Sequence, residues 1–396
     1  MKNRAIKLLY LMELFSGLAR GSYLGCIGWT ALVLSNSVAT VGQIFILQSL
    51  TMMIAGPVIG VFIDRHKRKN LIILAQFIIA FAMSGVGILL FNIENLSVYW
   101  LFCAVLIIAA TRIIYRGAFS GILRGAIENT YVLRSVAQAN TIHLMSTAVG
   151  MAGAGLIIDR YSTGHGFIAS AVASVAVLLI AMFLDGGVVK SNVRGLAGYW
   201  QDFKLGLGIF KHSKPIQLIA LLSATALPIG QLSNALLPSF IRDDLGKNSD
   251  VFGTVDAGWA IGGMAAAAVL SVFSKRISSQ FAEYLLAVLA GLATIAFSFG
   301  TELIGLTVMH GLMGFFVWSC RILITGRIIE LSSTENVGRV TINNEVLFGV
   351  SATLMCLSPS LISLEVTSSY FLYWGLFIIA SAVLLGFWKQ SLSGKT

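Results

Sequence analysis

Charge is scarce in this chain. Asp, Glu, Lys and Arg make up 11% of its 396 residues, against roughly a quarter in a soluble domain. Acids are scarcer than bases, 17 against 27. Long hydrophilic stretches are missing as well, which leaves no room for a soluble domain. A Walker-type phosphate loop is absent, so an ATP-driven pump is excluded. No nucleophile–base pairing or glycine-rich phosphate loop points to an enzyme, and no ligand cluster points to a metal or cofactor. The four cysteines, Cys26, Cys103, Cys320 and Cys356, all fall in apolar runs. Their spacing fits neither a metal site nor a disulfide framework, so they read as small core residues.

What fills the chain instead is apolar: 57% of its residues are hydrophobic. Runs of about 20 apolar residues recur from end to end, the length a helix needs to cross a bilayer. The ten-residue alternation of membrane strands is missing. The expected fold is therefore an all-α polytopic membrane protein with twelve spans, near 8–34, 40–63, 70–91, 98–123, 137–159, 166–184, 214–240, 251–273, 280–300, 303–326, 346–364 and 369–388. The longest hydrophilic interruption, 185–213, divides them into a six-helix bundle over 1–184 and another over 214–396. The N-terminal run is too long for a cleaved leader and reads as a retained first span.

The net charge of +10 does not point to nucleic acid, because the basic residues sit in short loops between apolar runs. With the N-terminus inside, 20 Lys and Arg fall on the inner side and 3, Arg160, Arg242 and Lys247, on the outer. That bias places both termini in the cytoplasm of a bacterial inner membrane. Within the central loop, Leu196, Trp200, Phe203, Leu207 and Phe210 share one helical face, the pattern of an amphipathic helix lying on the membrane. The halves also repeat at an offset near 210 residues, with Arg112 falling on Arg321. Two parallel repeats imply a cavity between them near the bilayer midplane.

Between the second and third spans stands Gly60-x-x-x-Asp64-Arg65-x-x-Arg68-Lys69. This loop, with the 6+6 layout, resembles the major facilitator superfamily over the whole chain. The stretch RGAFSGILRGAIENTYVLRSVAQANTI around the fourth and fifth spans is similar to the drug- and siderophore-exporter branch, which includes macrolide and enterobactin exporters. The branch's proline is missing there. The resemblance implies a conformational latch of Gly60, Asp64, Arg65 and Arg68, in which Asp64 faces the eleventh span and holds the cytoplasmic side closed. Physically, Gly56 and Gly60 permit a close helix approach, and Asp64 suits the positive end of a neighbouring helix. A purely topogenic basic loop is the plainer alternative. The family's usual glycine three residues after the Asp is Lys67 here.

Ionisable residues deep in a span cost roughly 2.5–3.5 kcal/mol each on insertion scales, which marks them as functional candidates. They are Glu13, Arg20, Arg112, Arg116, His143, Asp256, Glu283, His310 and Arg321. Spans one, four, seven and ten line the central cavity in the family resembled, and three of these carry the arginines. Glu13 and Arg20 share a face, as do Arg112 and Arg116. Because guanidinium keeps its charge, four deep arginines against one or two acids call for an anionic ligand. Carboxylate, phosphate or catecholate groups would pair with them in bidentate fashion. Gln231 and Asn234, beside Gly230 and Pro228 in the seventh span, add uncharged hydrogen-bonding groups on a kinked helix. A structural ion pair between Glu13 and Arg112 or Arg116 is the competing reading. Proton coupling needs a carboxylate whose protonation follows its changing surroundings, and Glu13 and then Asp256 are the candidates. Glu283 reads as interfacial, and His143 and His310 as core histidines.

These features together predict a monomeric secondary active transporter, embedded in the lipid bilayer, moving a small anionic, siderophore-like molecule outward by proton antiport. A multidrug or antibiotic efflux pump and an organic-anion importer remain open, as does a transport-dead sensor or scaffold.

Overall fold

The twelve apolar runs fold as helices because a backbone in hydrocarbon must satisfy its own hydrogen bonds, and a helix does so within one segment. The computed structural model describes residues 2–93, 96–126, 132–184, 213–273, 281–332 and 337–393, with 205, 208 and 210. Six helices precede the central loop: α1 (Lys2–Ser35), α2 (Val38–Arg65), α3 (Arg68–Asn92), α4 (Tyr99–Ala126), α5 (Val132–Arg160) and α6 (Thr163–Met182). Seven follow it: α7 (Lys214–Ala226), α8 (Ile229–Ser239), α9 (Ser249–Phe273), α10 (Ala282–Ser298), α11 (Leu303–Leu331), α12 (Val337–Leu361) and α13 (Ser368–Ser393). No strand occurs among the described residues. The amphipathic helix expected over 185–213 lies largely outside the described residues.

The seventh expected span is α7 and α8 in series, closed by a π-helical turn, Phe240–Asp244. It breaks at Leu227–Pro228, where proline has no N–H to continue the ladder, and restarts with Gln231 N donating to Pro228 O at 2.9 Å. Counted as one, these pieces give twelve helical segments among the described residues. Ten of them are long and apolar enough to cross a membrane among the described residues. Of the remaining two, α10 has 17 residues, and α1 carries Lys2, Arg4, Lys7, Glu13 and Arg20. The eleventh span starts earlier than expected, at Val337 rather than 346. Its polar opening, Asn343-Asn344-Glu345, had concealed the helix, and the correction places Glu345 inside it.

The chain separates into two compact units, Met1–Leu196 with Lys247–Ala257, and Ala197–Gly246 with Gly258–Thr396. In the first, α1 packs most extensively on α5 and α6, α3 on α4 and α6, and α2 on α4. A Cβ at Gly17 or Gly21 would collide with α5 at Ser146 or at the Thr147 carbonyl, and one at Gly150 with the Leu18 carbonyl of α1. Only glycine lets the two backbones come so near. Below them Leu9, Met12, Ile63, Ile72, Tyr115, Phe119 and Val177 fill a buried apolar core. In the second unit, α10 packs on α13 and α11, and α7 on α13 and α12. Across α7 and α12, Asn344 Nδ2 donates to Ser223 Oγ at 3.2 Å.

Candidate functional site

The close α1–α5 approach brings polar residues together. Glu13 on α1 is 1% exposed, and its Oε2 lies 2.8 Å from His143 Nδ1 on α5. It is a close approach of carboxylate and imidazole across α1 and α5. The Tyr115 hydroxyl on α4 donates to Glu13 Oε1 at 3.4 Å. Arg116 Nη1, one residue on, lies 3.9 Å from Oε2, and its side chain is half exposed. An ion pair at that distance and exposure contributes about 1 kcal/mol at most. The competing ion-pair reading is thus partly realised, and through Arg116 rather than Arg112.

Above this group opens a cavity of about 580 Å³ in the first unit. Arg20, Arg112, Arg116, Tyr23, Gln48, His143 and Ser120 supply its polar lining, and Met52, Ile63, Ile108, Ala109 and Ile113 its apolar lining. The Arg20 guanidinium lies over the Tyr23 ring, 5.6 Å from its centre. Among the described residues, no carboxylate comes within 4.0 Å of Arg20 or Arg112. The structure therefore brings three of the four sequence-selected arginines to one space, and leaves two without a counter-charge.

Arg321 is held elsewhere. On α11 its Nη2 donates to Glu345 Oε1 at 2.9 Å, and its guanidinium faces Phe348 and Trp318 at 5.3 and 5.9 Å. Gln231 and Asn234 lie on α8, both partly accessible. There Trp259 packs so tightly on Gly230 that a Cβ would meet its ring at 2.7 Å. Asp256 is buried on α9, with no cation within ion-pair distance among the described residues.

Glu283 stands in the first turn of α10, at the end of its span as expected, and is packed inside the protein there. It is 0% exposed, and its Oε1 accepts from Lys389 Nζ at 3.1 Å and faces Arg327 Nε at 3.7 Å. His310 is a core histidine, its Nε2 2.8 Å from Ser233 Oγ. His143 departs from its core reading by touching both Glu13 and the cavity. The stripe Gly17, Gly21, Gly25, every four residues along α1, was the available signal that another helix would come this close.

Of the latch residues, Gly60, Asp64 and Arg65 are described only as part of α2. Arg68 Nη1 donates to the Gly121 carbonyl of α4 at 3.0 Å, and a Cβ on Gly121 would take the space its guanidinium occupies. Lys69 Nζ donates to the Met182 carbonyl at 2.7 Å. A cation on the last carbonyls of α6 answers the negative end of that helix. Part of the basic loop therefore ties α3 to α4 and α6.

Comparison with known proteins bears on this architecture. Macrolide efflux protein A from Enterococcus faecalis is 23% identical over 218 residues, which cover 54% of this chain and 64% of that protein. The chain is thus matched over less than two thirds of that relative's length. Among solved structures, the nucleoside transporter NupG superposes with a TM-score of 0.77 at 13% identity, covering 96% of this chain and 98% of the other. A POT family transporter in complex with 5-aminolevulinic acid does so with a TM-score of 0.75 at 12% identity, covering 96% and 95%. At such identities the likeness is one of fold. The family model for the Major Facilitator Superfamily matches residues 9–355, nearly the whole chain, and the chain belongs to that family of membrane transporters.

Proposed function

We propose that this transporter exports a small organic anion, and that Arg20, Arg112 and Arg116 hold its charged group. The observation that carries the reading is the cavity in which Arg20 and Arg112 stand without a carboxylate partner. Such partly solvated cations are stabilised when an anion accepts their hydrogen bonds in bidentate fashion. Arg321 already has Glu345, so its part is secondary, and Gln231 and Asn234 offer uncharged contacts from the second half. Glu13 is the proton carrier. Its carboxylate touches His143 and Arg116, both of which line the cavity, so the carboxylate and the anion site share Arg116. Asp256 is the alternative carrier.

The working cycle follows from the halves, 1–184 and 214–396, rocking about the linker 185–213 within an inner membrane, both termini cytoplasmic, as a monomer. The Asp64 loop latches one state. Outward direction rests on likeness to the macrolide efflux protein, and the same likeness favours drug efflux as the second reading.

The test is transport in proteoliposomes under an imposed pH gradient, with a panel of radiolabelled organic anions and a macrolide. We expect pH-driven movement of at least one anion, lost in Arg20→Gln and Arg112→Gln while both remain monodisperse. Glu13→Gln should still bind but not respond to the gradient. Anion transport unaffected by both arginine changes would overturn the assignment, and movement of the macrolide alone would install drug efflux in its place.

A further inference from the structure

We propose that the ligand is an amphiphile whose head carries two negative charges joined to an apolar body. This rests on the anion reading above and narrows it. Three guanidinium groups border the cavity, and among the described residues a single carboxylate, Glu13, adjoins them. Glu13 is shared between Arg116 at 3.9 Å and His143 at 2.8 Å. With the imidazole neutral, two positive charges stand uncompensated, those of Arg20 and Arg112. A monoanion answers one of them and leaves the other without a counter-charge, only partly solvated at the cavity wall.

Geometry points the same way. Arg20 rises from α1 and Arg112 from α4, so two guanidinium forks reach one space from separate helices. Each fork is satisfied by a pair of acceptor oxygens. One carboxylate has two oxygens in all. A phosphate monoester or phosphonate has three terminal oxygens and close to two charges at neutral pH, and two adjacent carboxylates have four oxygens and two charges. The shared chemistry is a dianionic head.

The rest of the cavity is unsuited to a bare anion. Met52 and Ile63 from α2 and Ile108, Ala109 and Ile113 from α4 add apolar lining beside the arginines. At about 580 Å³ the space falls within the 300–1,000 Å³ of ordinary small-molecule sites, far more than a phosphate group alone requires. Tyr23, beside Arg20 at 5.6 Å, offers a ring edge or face to an apolar neighbour of the head. Burial of that body against this lining adds affinity that inorganic anions cannot gain.

The experiment uses the purified full chain in lipid nanodiscs, with four probes measured by calorimetry at low salt. Phenyl phosphate and phthalate are dianions with an apolar ring. Benzoate is a monoanion with the same ring, and inorganic phosphate is a dianion without one. We expect phenyl phosphate, phthalate or both to bind at least tenfold more tightly than benzoate and inorganic phosphate. Which of the two leads identifies the head as phosphate-like or dicarboxylate. Arg20→Gln and Arg112→Gln should each remove most of the preference over benzoate. The probe series on the unaltered protein stands even where one variant fails to fold. Benzoate binding as tightly as both dianions would overturn the dianionic head and leave the anion reading in place. Inorganic phosphate matching phenyl phosphate would overturn the apolar body. Failure of all four probes would sink the anion reading together with this one.

Discussion

Replacing Glu13 with glutamine keeps the side chain's size and removes the one carboxylate adjoining the arginine cavity among the described residues. Arg20 lies seven residues, about 10.5 Å, further along α1. An anion reached by the Arg20 and Arg112 side chains is placed at about 9 Å from Glu13, a little inside that rise. At an effective dielectric constant of about 40, suited to a cavity open to water, each pair of unit charges at that separation repels by about 0.9 kcal/mol. A dianion is relieved of about 1.8 kcal/mol, so phenyl phosphate should bind Glu13→Gln roughly 20-fold more tightly than the unaltered protein. Benzoate should gain only about fivefold. The lost contacts to His143 and Tyr115 weaken free and bound protein alike and drop out of the comparison. Calorimetry near pH 7.5 and low salt reads the effect, and it should shrink as salt is raised. Affinity that is unchanged or weaker in Glu13→Gln would refute the electrostatic reasoning, because it would mean that Glu13 does not oppose the bound anion.

Other perturbations separate the site from its scaffold. Glu283→Gln leaves Lys389 and Arg327 facing each other without their buried carboxylate; since both cations are partly exposed, a loss of about 1–3 kcal/mol is expected, read as a lower melting temperature with anion binding intact. Gly21→Leu should prevent α1 from seating on Thr147 of α5 and yield aggregated protein. Gly153→Leu, on a face of α5 with open space around it, should behave as the unaltered protein in size-exclusion chromatography. Arg321→Gln should change phenyl phosphate affinity less than threefold while Arg112→Gln lowers it more than tenfold, because Glu345 already neutralises Arg321. Gly121→Val should expel Arg68 from the α4 carbonyl it caps and lower thermal stability, and a full wild-type melting curve would show that docking to be dispensable.

The arginines illustrate how a shared residue type conceals different roles. From position alone Arg112 and Arg321 are equivalent, 209 residues apart in two repeats. Their partners are not: Arg321 meets Glu345, on a stretch too polar to read as part of a span, whereas Arg112 meets no acid among the described residues. Charge balance depends on which helices are neighbours, and the order of residues along one helix does not carry that information.

Sequence by itself determined the succession of apolar helices, the break at Pro228 and which ionisable residues fall within apolar segments. Each is a property of a single segment: hydrophobic length, a missing N–H, or a charge with no route to water. Only the tertiary structure decided that Glu13 meets His143, that Glu283 is buried between two cations and that three arginines share one cavity. Those outcomes depend on helix pairing, and in the first unit the pairing of α1 with α5 follows from glycines at Gly17, Gly21 and Gly150 that let two backbones touch. A glycine announces that something will come close. What comes close is settled by the packing of the whole unit.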